Sequence, residues 1–345
     1  MTEERPGDRA TYRVGLAMGG GAARGYFTVG ALKALSQVGV AFDCLAGTSA
    51  GAIVSSLYTA GIEPDQIAEL MRTVKWAHDI LDLKKTGLNV VSRLMGMLSS
   101  TGNRVPPGLF ETSQLSSFIN TTIGGKTFSE IRPLILTATD ICTGEKVLFS
   151  SAKVARDYAS GAAARNPARV DLQPWEINLA PRDVLVPFED VGLAARASAC
   201  VPGIMESVQV TCPALGQDPS DRFLNDGGLC EQVPVKVLRT LGCEKVLAIS
   251  LGFVQHVKSV FNPLEVATNS VQYLAREQIA SSLKRADFVL YDERIEEASL
   301  VTLDPRLIEM GYRFTMANLP RIRLALGLEA APGPPGPEAP QPKLQ

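Results

Sequence analysis

Short apolar runs alternate with helical patterns over the first 61 residues, and this alternation limits the chain to few folds. The runs 12–18 and 42–47 are short and apolar, as buried strands are. Residues 27–38 carry apolar side chains at spacings of three and four, which indicates a helix, and a second helix is predicted at 50–61. Strand, helix, strand and helix in this order are typical of parallel βαβ units. We therefore expect an α/β fold.

The rest of the chain repeats these patterns. We predict further strands at 133–141, 222–228, 245–252 and 287–292, and further helices at 189–199, 234–242, 263–286 and 304–326. A hairpin turn is expected around Thr143-Gly144, and residues 151–190 are interpreted as a long irregular segment that borders a pocket. We expect one domain over 12–328, after a flexible stretch 1–11 and before a disordered tail, 329–345, whose prolines prevent core formation.

Composition argues against several classes of function. The 345 residues include 34 basic and 36 acidic side chains without a basic stripe, so no nucleic-acid partner is expected. The six cysteines form no Cys-x-x-Cys pair, so neither a metal nor another cofactor is predicted, and their apolar surroundings indicate a reducing compartment. We see no secretory leader and no run of about 20 apolar residues. This predicts a cytoplasmic protein whose membrane contact is peripheral; an oligomeric state is not indicated.

The first of three glycine-centred turns follows the first strand. It reads Gly19-Gly20-Gly21-Ala22-Ala23-Arg24-Gly25. Glycines bring bare N–H groups close to a ligand, and N–H groups at a helix N-terminus favour negative charge, either a phosphate or a developing oxyanion. The dinucleotide fingerprint Gly-x-Gly-x-x-Gly fails at Arg24, although a looser form fits through Gly25. Alone, this loop is compatible with nucleotide binding, an oxyanion hole or a plain tight turn.

The second turn, Gly47-Thr48-Ser49-Ala50-Gly51, reads Gly-x-Ser-x-Gly. In a nucleophile elbow this pattern holds a serine in a strained backbone conformation with its hydroxyl exposed, and small neighbours avoid clashes. The turn lies between an apolar strand and a small-residue helix, which is the context that such an elbow requires. The alternative is a serine that merely caps the helix. Ser49 is therefore a candidate nucleophile.

The third turn is Asp226-Gly227-Gly228, at the end of a predicted strand. Alone, such an aspartate is most often a turn residue that bonds its own backbone. Because the βα junctions of a parallel sheet meet at its carboxyl edge, we expect the three turns to converge there. A serine on an elbow, an amide-rich loop and a carboxylate together indicate nucleophilic catalysis of acyl transfer.

The three motifs in this order resemble the patatin-like phospholipase family over roughly residues 12–320. The segments "ARASACVPGIMES", "TATDICTGEKVLF" and "DGGLCEQVPVKVLRTLG" are similar to that family too. The resemblance implies a three-layer α/β/α sandwich with a mainly parallel central sheet and a dyad of Ser49 and Asp226 that works without histidine. It also implies a phospholipid or lysophospholipid substrate, with other long-chain acyl esters open. An ordinary aspartate has a pKa of about 3.9. Partial burial is expected to raise the pKa of Asp226 and so make it a better base.

The glycine loop departs from the family pattern Gly-Gly-Gly-x-Arg/Lys-Gly by one extra residue. Aligned on Arg24, the triplet positions fall on Gly20, Gly21 and Ala22. We predict that the Gly20 and Gly21 amides bind the oxyanion, with Ala22 as the alternative. Arg24 is expected to anchor the loop or a lipid phosphate, or to be a plain surface cation. Supporting roles in the turns are expected for Gly19, Gly25, Gly47, Gly51, Gly227 and Gly228.

Three other functions stay open. A Ser49–Asp226–His256 triad has the chain order of α/β-hydrolases, although only one strand precedes the elbow here, and His78 is interpreted as a helix-face residue. A nucleotide-binding module would use the glycine loop but leave the other two motifs unexplained. A catalytically silent scaffold is the third. Residues 88–110 carry an apolar helical stripe, interpreted first as core and second as a mobile cap that meets lipid interfaces.

Overall fold

A computed structural model describes most of the predicted domain. It covers residues 12–74, 110–165, 183–210, 222–252, 273, 276–299 and 302–328. Several predictions lie outside these described residues: the flexible stretch 1–11, the tail 329–345, most of the apolar stripe 88–110, and both His78 and His256.

The described elements alternate between strands and helices. The strands are β1 (Val14–Met18), β2 (Cys44–Gly47), β3 (Leu134–Asp140), β4 (Lys146–Ser150), β5 (Asp183–Pro187), β6 (Leu224–Asp226), β7 (Lys245–Ile249) and β8 (Phe288–Leu290). The helices are α1 (Gly25–Gln37), α2 (Ala50–Thr59), α3 (Pro64–Thr73), α4 (Ser113–Thr122), α5 (Ala152–Arg165), α6 (Val191–Ala199), α7 (Gly228–Glu231), α8 (Val235–Leu241) and α9 (Arg306–Ala325). Two 3₁₀ helices span Ala22–Arg24 and Glu293–Glu297.

The strands form one sheet in the order β5-β4-β3-β2-β1-β7-β8. From β3 to β8 every neighbouring pair along this order is parallel. Strand β4 runs antiparallel to β3 and forms the hairpin predicted around Thr143-Gly144, and β5 is parallel to β4. The prediction of a mainly parallel central sheet is confirmed.

Helices cover both faces of this sheet. Along β1, Leu16 and Met18 pack into one apolar layer and Ala17 into the other, because successive side chains of a strand point to opposite faces. The first layer is filled by α1, α2, α3, α4, α6 and α9, and the second by α5 and α8 together with Leu283. Strands buried on both faces explain the continuous apolar runs of the sequence, and the predicted three-layer α/β/α arrangement is confirmed.

Some predicted boundaries were wrong. Residues 151–190 are not irregular throughout, because they contain α5 and the edge strand β5. Helices α3 and α4 were not predicted, although α3 begins with a capping box between Glu63 and Gln66. Half of the predicted helix 263–286 falls outside the described residues, and its described part is helical at 273 and 276–283. No helix of the described residues combines the length and the apolar character needed to cross a bilayer.

One edge of β3 is shared by two strands that approach each other. Strand β2 runs parallel to β3 and ends with Gly47 opposite Leu136. Strand β6 runs antiparallel to β3 and ends with Asp226 opposite Ala138, two residues further along β3. The carboxyl ends of β2 and β6 therefore face each other. The three turns do converge, but Asp226 arrives on an antiparallel strand and not, as predicted, at a βα junction of the parallel sheet.

Candidate active site

Ser49 occupies the sharp turn between β2 and α2. Its backbone has φ 54° and ψ −121°, a conformation that costs a non-glycine residue about 1–3 kcal/mol. The turn is fixed on the sheet side, where the Thr48 N–H donates to the Met18 carbonyl at 3.1 Å. On the helix side, the Ser49 carbonyl accepts from the Ala52 N–H at 2.9 Å. The predicted strained elbow conformation is present at Ser49.

The glycines that flank Ser49 make this turn possible. A Cβ on Gly51 would overlap the carbonyl oxygen of Met18, so a larger residue would push α2 away from the end of β1. A Cβ on Gly47 would lie 2.7 Å from the Gly51 carbonyl oxygen and would overlap the Ser55 hydroxyl. Both positions thus require glycine because other backbone atoms approach them closely. This agrees with the small neighbours expected beside the serine of an elbow.

Asp226 lies within hydrogen-bond distance of the serine hydroxyl. The Ser49 Oγ donates to Asp226 Oδ2 at 2.6 Å, and the other carboxylate oxygen accepts from the Gly228 N–H at 2.7 Å. The Asp226 carbonyl accepts from the Thr139 hydroxyl at 3.0 Å. A Cβ on Gly227 would overlap Thr137, which explains why a glycine directly follows the aspartate. Each carboxylate oxygen therefore has a defined partner.

The surroundings of Asp226 change its acidity. Burial raises the pKa of this carboxyl from 3.8 to about 6, even though the hydrogen bonds from Ser49 and Gly228 lower it. A carboxyl group with a pKa near 6 is largely ionised at neutral pH, yet it holds a transferred proton far better than an exposed aspartate does. Such a group suits proton exchange with a neighbouring hydroxyl.

Of the first four amides of the glycine loop, two are hydrogen-bonded within the described fold and two are not. The Gly19 N–H donates to the Ile249 carbonyl at 3.0 Å, and the Gly20 N–H donates to the Gln232 carbonyl at 3.0 Å. Within the part of the chain that the structure describes, neither Gly21 nor Ala22 donates its N–H to any group. Ala22 is exposed and has φ 47°. These two amides are available to a ligand.

This pattern corrects one prediction. The Gly20 amide was expected to bind the oxyanion, but its hydrogen is already used by the Gln232 carbonyl. Gly20 instead packs against Ser49, because a Cβ added to it would lie 2.9 Å from Ser49 Cβ. The alternative at Ala22 fits better, so Gly21 and Ala22 are the candidate donors.

Arg24 holds the far end of the glycine loop. It is 1% exposed, and its guanidinium donates to the carbonyls of Leu251, Glu296 and Ala298 at 3.2, 3.1 and 3.1 Å. A buried guanidinium with three carbonyl partners is neither a surface cation nor placed to meet a lipid phosphate. The expectation that it anchors the loop agrees with these contacts. The next residue, Gly25, packs closely against Ala50 at the start of α2.

Sequence reasoning missed several residues that hold the two turns together. The hydroxyl of Ser198, at the end of α6, accepts a hydrogen bond from the Ser49 N–H at 2.9 Å. The Thr48 hydroxyl donates to the Glu231 carbonyl at 2.9 Å and lies 2.7 Å from the Thr137 hydroxyl. The signal for Ser198 was its place in the segment "ARASACVPGIMES", which had been noted but given no role. Thr48 lies in the elbow turn, and Thr137 and Glu231 lie in the segments "TATDICTGEKVLF" and "DGGLCEQVPVKVLRTLG", but none of the three had been given a role.

Comparison with known proteins agrees with this geometry. A family model described as patatin-like phospholipase matches residues 16–239. Patatin-like phospholipase domain-containing protein 7 of Rattus norvegicus is 27% identical over 240 residues, which are 69% of this chain and 14% of that protein. Lysophospholipase nte1 of Aspergillus niger is 32% identical over 108 residues, which are 30% of this chain and 7% of that protein.

A search of solved structures finds the type III effector protein ExoU, with a TM-score of 0.41 and 13% sequence identity over 93% of this chain and 54% of that one. The chain spans only 14% of the length of the rat relative. The family model, by contrast, covers well over half of the chain and includes all three glycine-centred turns. The chain belongs to the patatin-like phospholipase family.

Proposed function

We propose that this chain is a serine acyl-ester hydrolase that acts on lipids as a phospholipase A or lysophospholipase, through a dyad of Ser49 and Asp226. The observation that carries the proposal is the 2.6 Å hydrogen bond from the Ser49 hydroxyl to the Asp226 carboxylate. The strained serine and the raised pKa of the aspartate support it, because both are typical of catalytic groups.

Acylation begins with proton transfer inside the dyad. As the Ser49 oxygen attacks the ester carbonyl carbon, its proton passes to Asp226 Oδ2, and the carbonyl oxygen becomes an oxyanion. The N–H groups of Gly21 and Ala22 donate to that oxyanion; loss of one such donor typically costs about 2.7–4 kcal/mol of transition-state stabilisation. Asp226 then returns the proton to the departing alcohol, and an acyl-serine remains.

Hydrolysis of the acyl-serine reverses these roles. Asp226, again ionised, takes a proton from a water molecule that attacks the acyl carbon. The same two amides hold the second oxyanion, and its collapse returns the proton from Asp226 to the Ser49 oxygen. One carboxylate thus serves both half-reactions, and no histidine takes part.

The lipid substrate class is proposed from the family. The matching relatives are named patatin-like phospholipase and lysophospholipase, and the family model covers the whole candidate site. Long acyl chains partition to membranes or micelles, so the proposed enzyme meets its substrate at a lipid surface by peripheral contact. The head group and the ester position are left to experiment.

Covalent labelling with a fluorophosphonate probe tests the nucleophile directly. We expect the wild-type chain to be labelled at Ser49 and the Ser49→Ala variant to be unlabelled, with both folded by circular dichroism. Hydrolysis is then measured on lysophosphatidylcholine, diacylphosphatidylcholine and a short-chain nitrophenyl ester. Folded wild-type protein that neither labels nor hydrolyses any of the three would contradict the proposal and favour a silent scaffold. Tight NAD(P) or ATP binding by calorimetry would then favour a nucleotide-binding module.

Two further variants separate a dyad from a triad. Asp226→Ala removes the proposed base, and we expect at least a hundredfold loss of kcat, given the usual size of general-base effects. His256→Ala is expected to retain wild-type activity. Retained activity in Asp226→Ala would refute the dyad, and a loss of similar size in His256→Ala would favour the Ser49–Asp226–His256 triad.

A further inference from the structure

The C-terminal end of α6 contacts both halves of the candidate site. The Ser198 carbonyl accepts from the Gly227 N–H at 3.2 Å, and the Cys200 carbonyl accepts from the Asp226 N–H at 2.8 Å. The Ser198 hydroxyl accepts from the Ser49 N–H at 2.9 Å. Ser198 and Cys200 at this helix end thus hold the aspartate turn through their backbone carbonyls, and Ser198 also holds the serine turn through its side chain.

The contact from Ser198 differs from the other contacts around the elbow. The bonds to the Met18 and Glu231 carbonyls hold Thr48, not Ser49. The Ser49 carbonyl is bonded within its own helix, to Ala52 and Ile53. Among the described residues, the Ser198 hydroxyl is therefore the one group outside α2 that bonds the backbone of Ser49.

The Ser49 N–H needs such a partner. The first N–H groups of a helix lack an acceptor within the helix, and Ser49 is the residue that caps α2. Ser49 is 8% exposed and Ser198 is completely buried. If the Ser198 hydroxyl were removed, the Ser49 N–H would be left buried without a water molecule as acceptor, which costs free energy. Without the Ser198 hydroxyl, the backbone at Ser49 lowers its free energy by rotating the N–H toward another acceptor. This rotation displaces the Ser49 hydroxyl from Asp226.

We propose that Ser198 is a positioning residue, whose hydroxyl fixes the backbone of the nucleophile so that the Ser49 oxygen faces both Asp226 and the Gly21 and Ala22 amides. The proposal rests on the proposed hydrolase function for its effect on rate, but its structural content concerns the Ser49 N–H alone. A displacement of about 1 Å at a reacting atom commonly costs about a hundredfold in rate.

The Ser198→Ala variant tests this, with Ser56→Ala as its matched control. Both serines are completely buried, but the Ser56 hydroxyl donates to the Ala52 carbonyl within α2, and among the described residues no hydrogen bond joins it to a candidate site residue. For Ser198→Ala we expect the fluorophosphonate labelling rate and kcat to fall about tenfold to a hundredfold, with KM unchanged. Ser56→Ala is expected to keep both values. The pH midpoint of kcat/KM is expected to rise in Ser198→Ala and to stay in place in Ser56→Ala, because displacement of the Ser49 hydroxyl removes a hydrogen bond that lowers the pKa of Asp226.

Hydrogen exchange of the Ser49 amide, followed by NMR, gives a readout that needs no activity. We expect protection in the wild type and in Ser56→Ala and at least tenfold faster exchange in Ser198→Ala. Unchanged exchange, or rate losses of equal size in both variants, would overturn the proposal. If the wild type shows no labelling or hydrolysis, the proposed function fails, while the exchange result still decides the role of Ser198. Should Ser198→Ala not fold, Ser198→Cys keeps the volume with a weaker acceptor, and wild-type labelling and exchange in that variant would refute the proposal.

Discussion

At the scale of single residues, the carboxyl group of Asp226 faces two opposed demands. In the proposed mechanism it takes a proton from a serine hydroxyl and later gives it back to a leaving alcohol. An exposed aspartate is too weak a base for the first task, because its carboxylate holds a proton too weakly at neutral pH. Burial where the ends of β2 and β6 meet raises the pKa of Asp226 to about 6, while the two hydrogen bonds to its oxygens keep that pKa from rising further. The local environment thus tunes an ordinary residue toward both steps.

The pH dependence of activity follows from this value. Because the proposed base is the ionised carboxylate, activity is low when Asp226 is protonated and rises as the pH passes through its pKa. We expect kcat/KM on a nitrophenyl ester to increase about tenfold per pH unit below about 6 and to level off above 7. His256→Ala is expected to leave this profile unchanged. A profile without a transition between pH 5 and 7 would contradict the assignment of Asp226 as base.

The same shift predicts a stability effect. The folded-state pKa of Asp226 lies above the unfolded value of 3.8, so ionisation destabilises the fold. This penalty is absent below about pH 4 and complete above about pH 6. Asp226→Asn removes it, and we expect the variant to be more stable than the wild type at pH 8 by up to about 3 kcal/mol, from 1.36 kcal/mol per pKa unit.

Urea unfolding at pH 8 and pH 4 measures this difference, which should shrink as the pH falls. Ser49→Ala is the control, because it abolishes the proposed nucleophile while retaining the carboxyl group. A gain in Asp226→Asn of the same size at both pH values would mean that ionisation is not its cause.

At the scale of elements, helices α1 and α9 approach each other through two glycines. A Cβ on Gly30 would overlap the Ile308 carbonyl, and a Cβ on Gly311 would overlap the Phe27 carbonyl. The backbones therefore touch where the helices cross, which explains how α9 packs against α1 although Gly30 and Ile308 lie 278 positions apart in the chain. Neither glycine was identified from the sequence, because a glycine within a helical pattern indicates only a residue of low helix propensity.

A Gly30→Ala substitution tests this crossing. The added methyl group has no room against a backbone carbonyl, and overpacking of this kind costs about 1–3 kcal/mol. Ser36→Ala, at a half-buried position of the same helix, is expected to stay within about 0.5 kcal/mol of the wild type. Chemical unfolding of both variants measures the difference. Equal stabilities would show that the helices can separate at no cost.

At the scale of the whole molecule, a buried cluster of charged side chains links strands β4 and β5 to the helix that follows Asp226. Lys146 in β4 lies 2.8 Å from Glu231 and 2.9 Å from Asp183, and the Tyr158 hydroxyl donates to Asp183 at 2.5 Å. Burial by itself lowers the pKa of Lys146, but the charges of Glu231 and Asp183 outweigh it and raise that pKa above its ordinary value. Glu231 ends α7, the short helix that follows Asp226 and Gly227. The cluster thus connects β4, β5 and the aspartate turn.

Removal of the lysine charge is expected to destabilise the fold. In Lys146→Met two carboxylates face each other without a cation, and breaking a buried pair in this way costs about 3–5 kcal/mol. The control is Lys153→Met, because Lys153 pairs with Asp157 at 2.9 Å but is 65% exposed, and such a pair contributes about 1 kcal/mol or less. Thermal unfolding compares the two variants. Losses of equal size would show that the buried cluster stabilises no more than a surface pair.

Much of this molecule was predictable because its signals are local. Apolar runs, helical spacing and glycine turns lie within about ten residues each, and they predicted the central strands, most of the described helices and the α/β class. Edge strand β5 and helices α3 to α5 were not predicted, because the formation of short or weakly amphipathic elements depends on the residues they pack against. Ser49, Asp226 and the glycine loop were proposed from motifs, and their proximity follows from β2 and β6 sharing one edge of β3.

Local sequence patterns predicted the succession of strands and helices, the strained serine turn and the family resemblance. Long-range packing decided that Asp226 lies on an antiparallel strand, that the Gly20 amide is already bonded, and that Arg24 is buried against three carbonyls. It also decided that Ser198 bonds the backbone of Ser49. The physical reason is the range of the interactions: backbone preference acts between neighbours in the chain, whereas hydrogen-bond partners more than a hundred residues apart are chosen by packing.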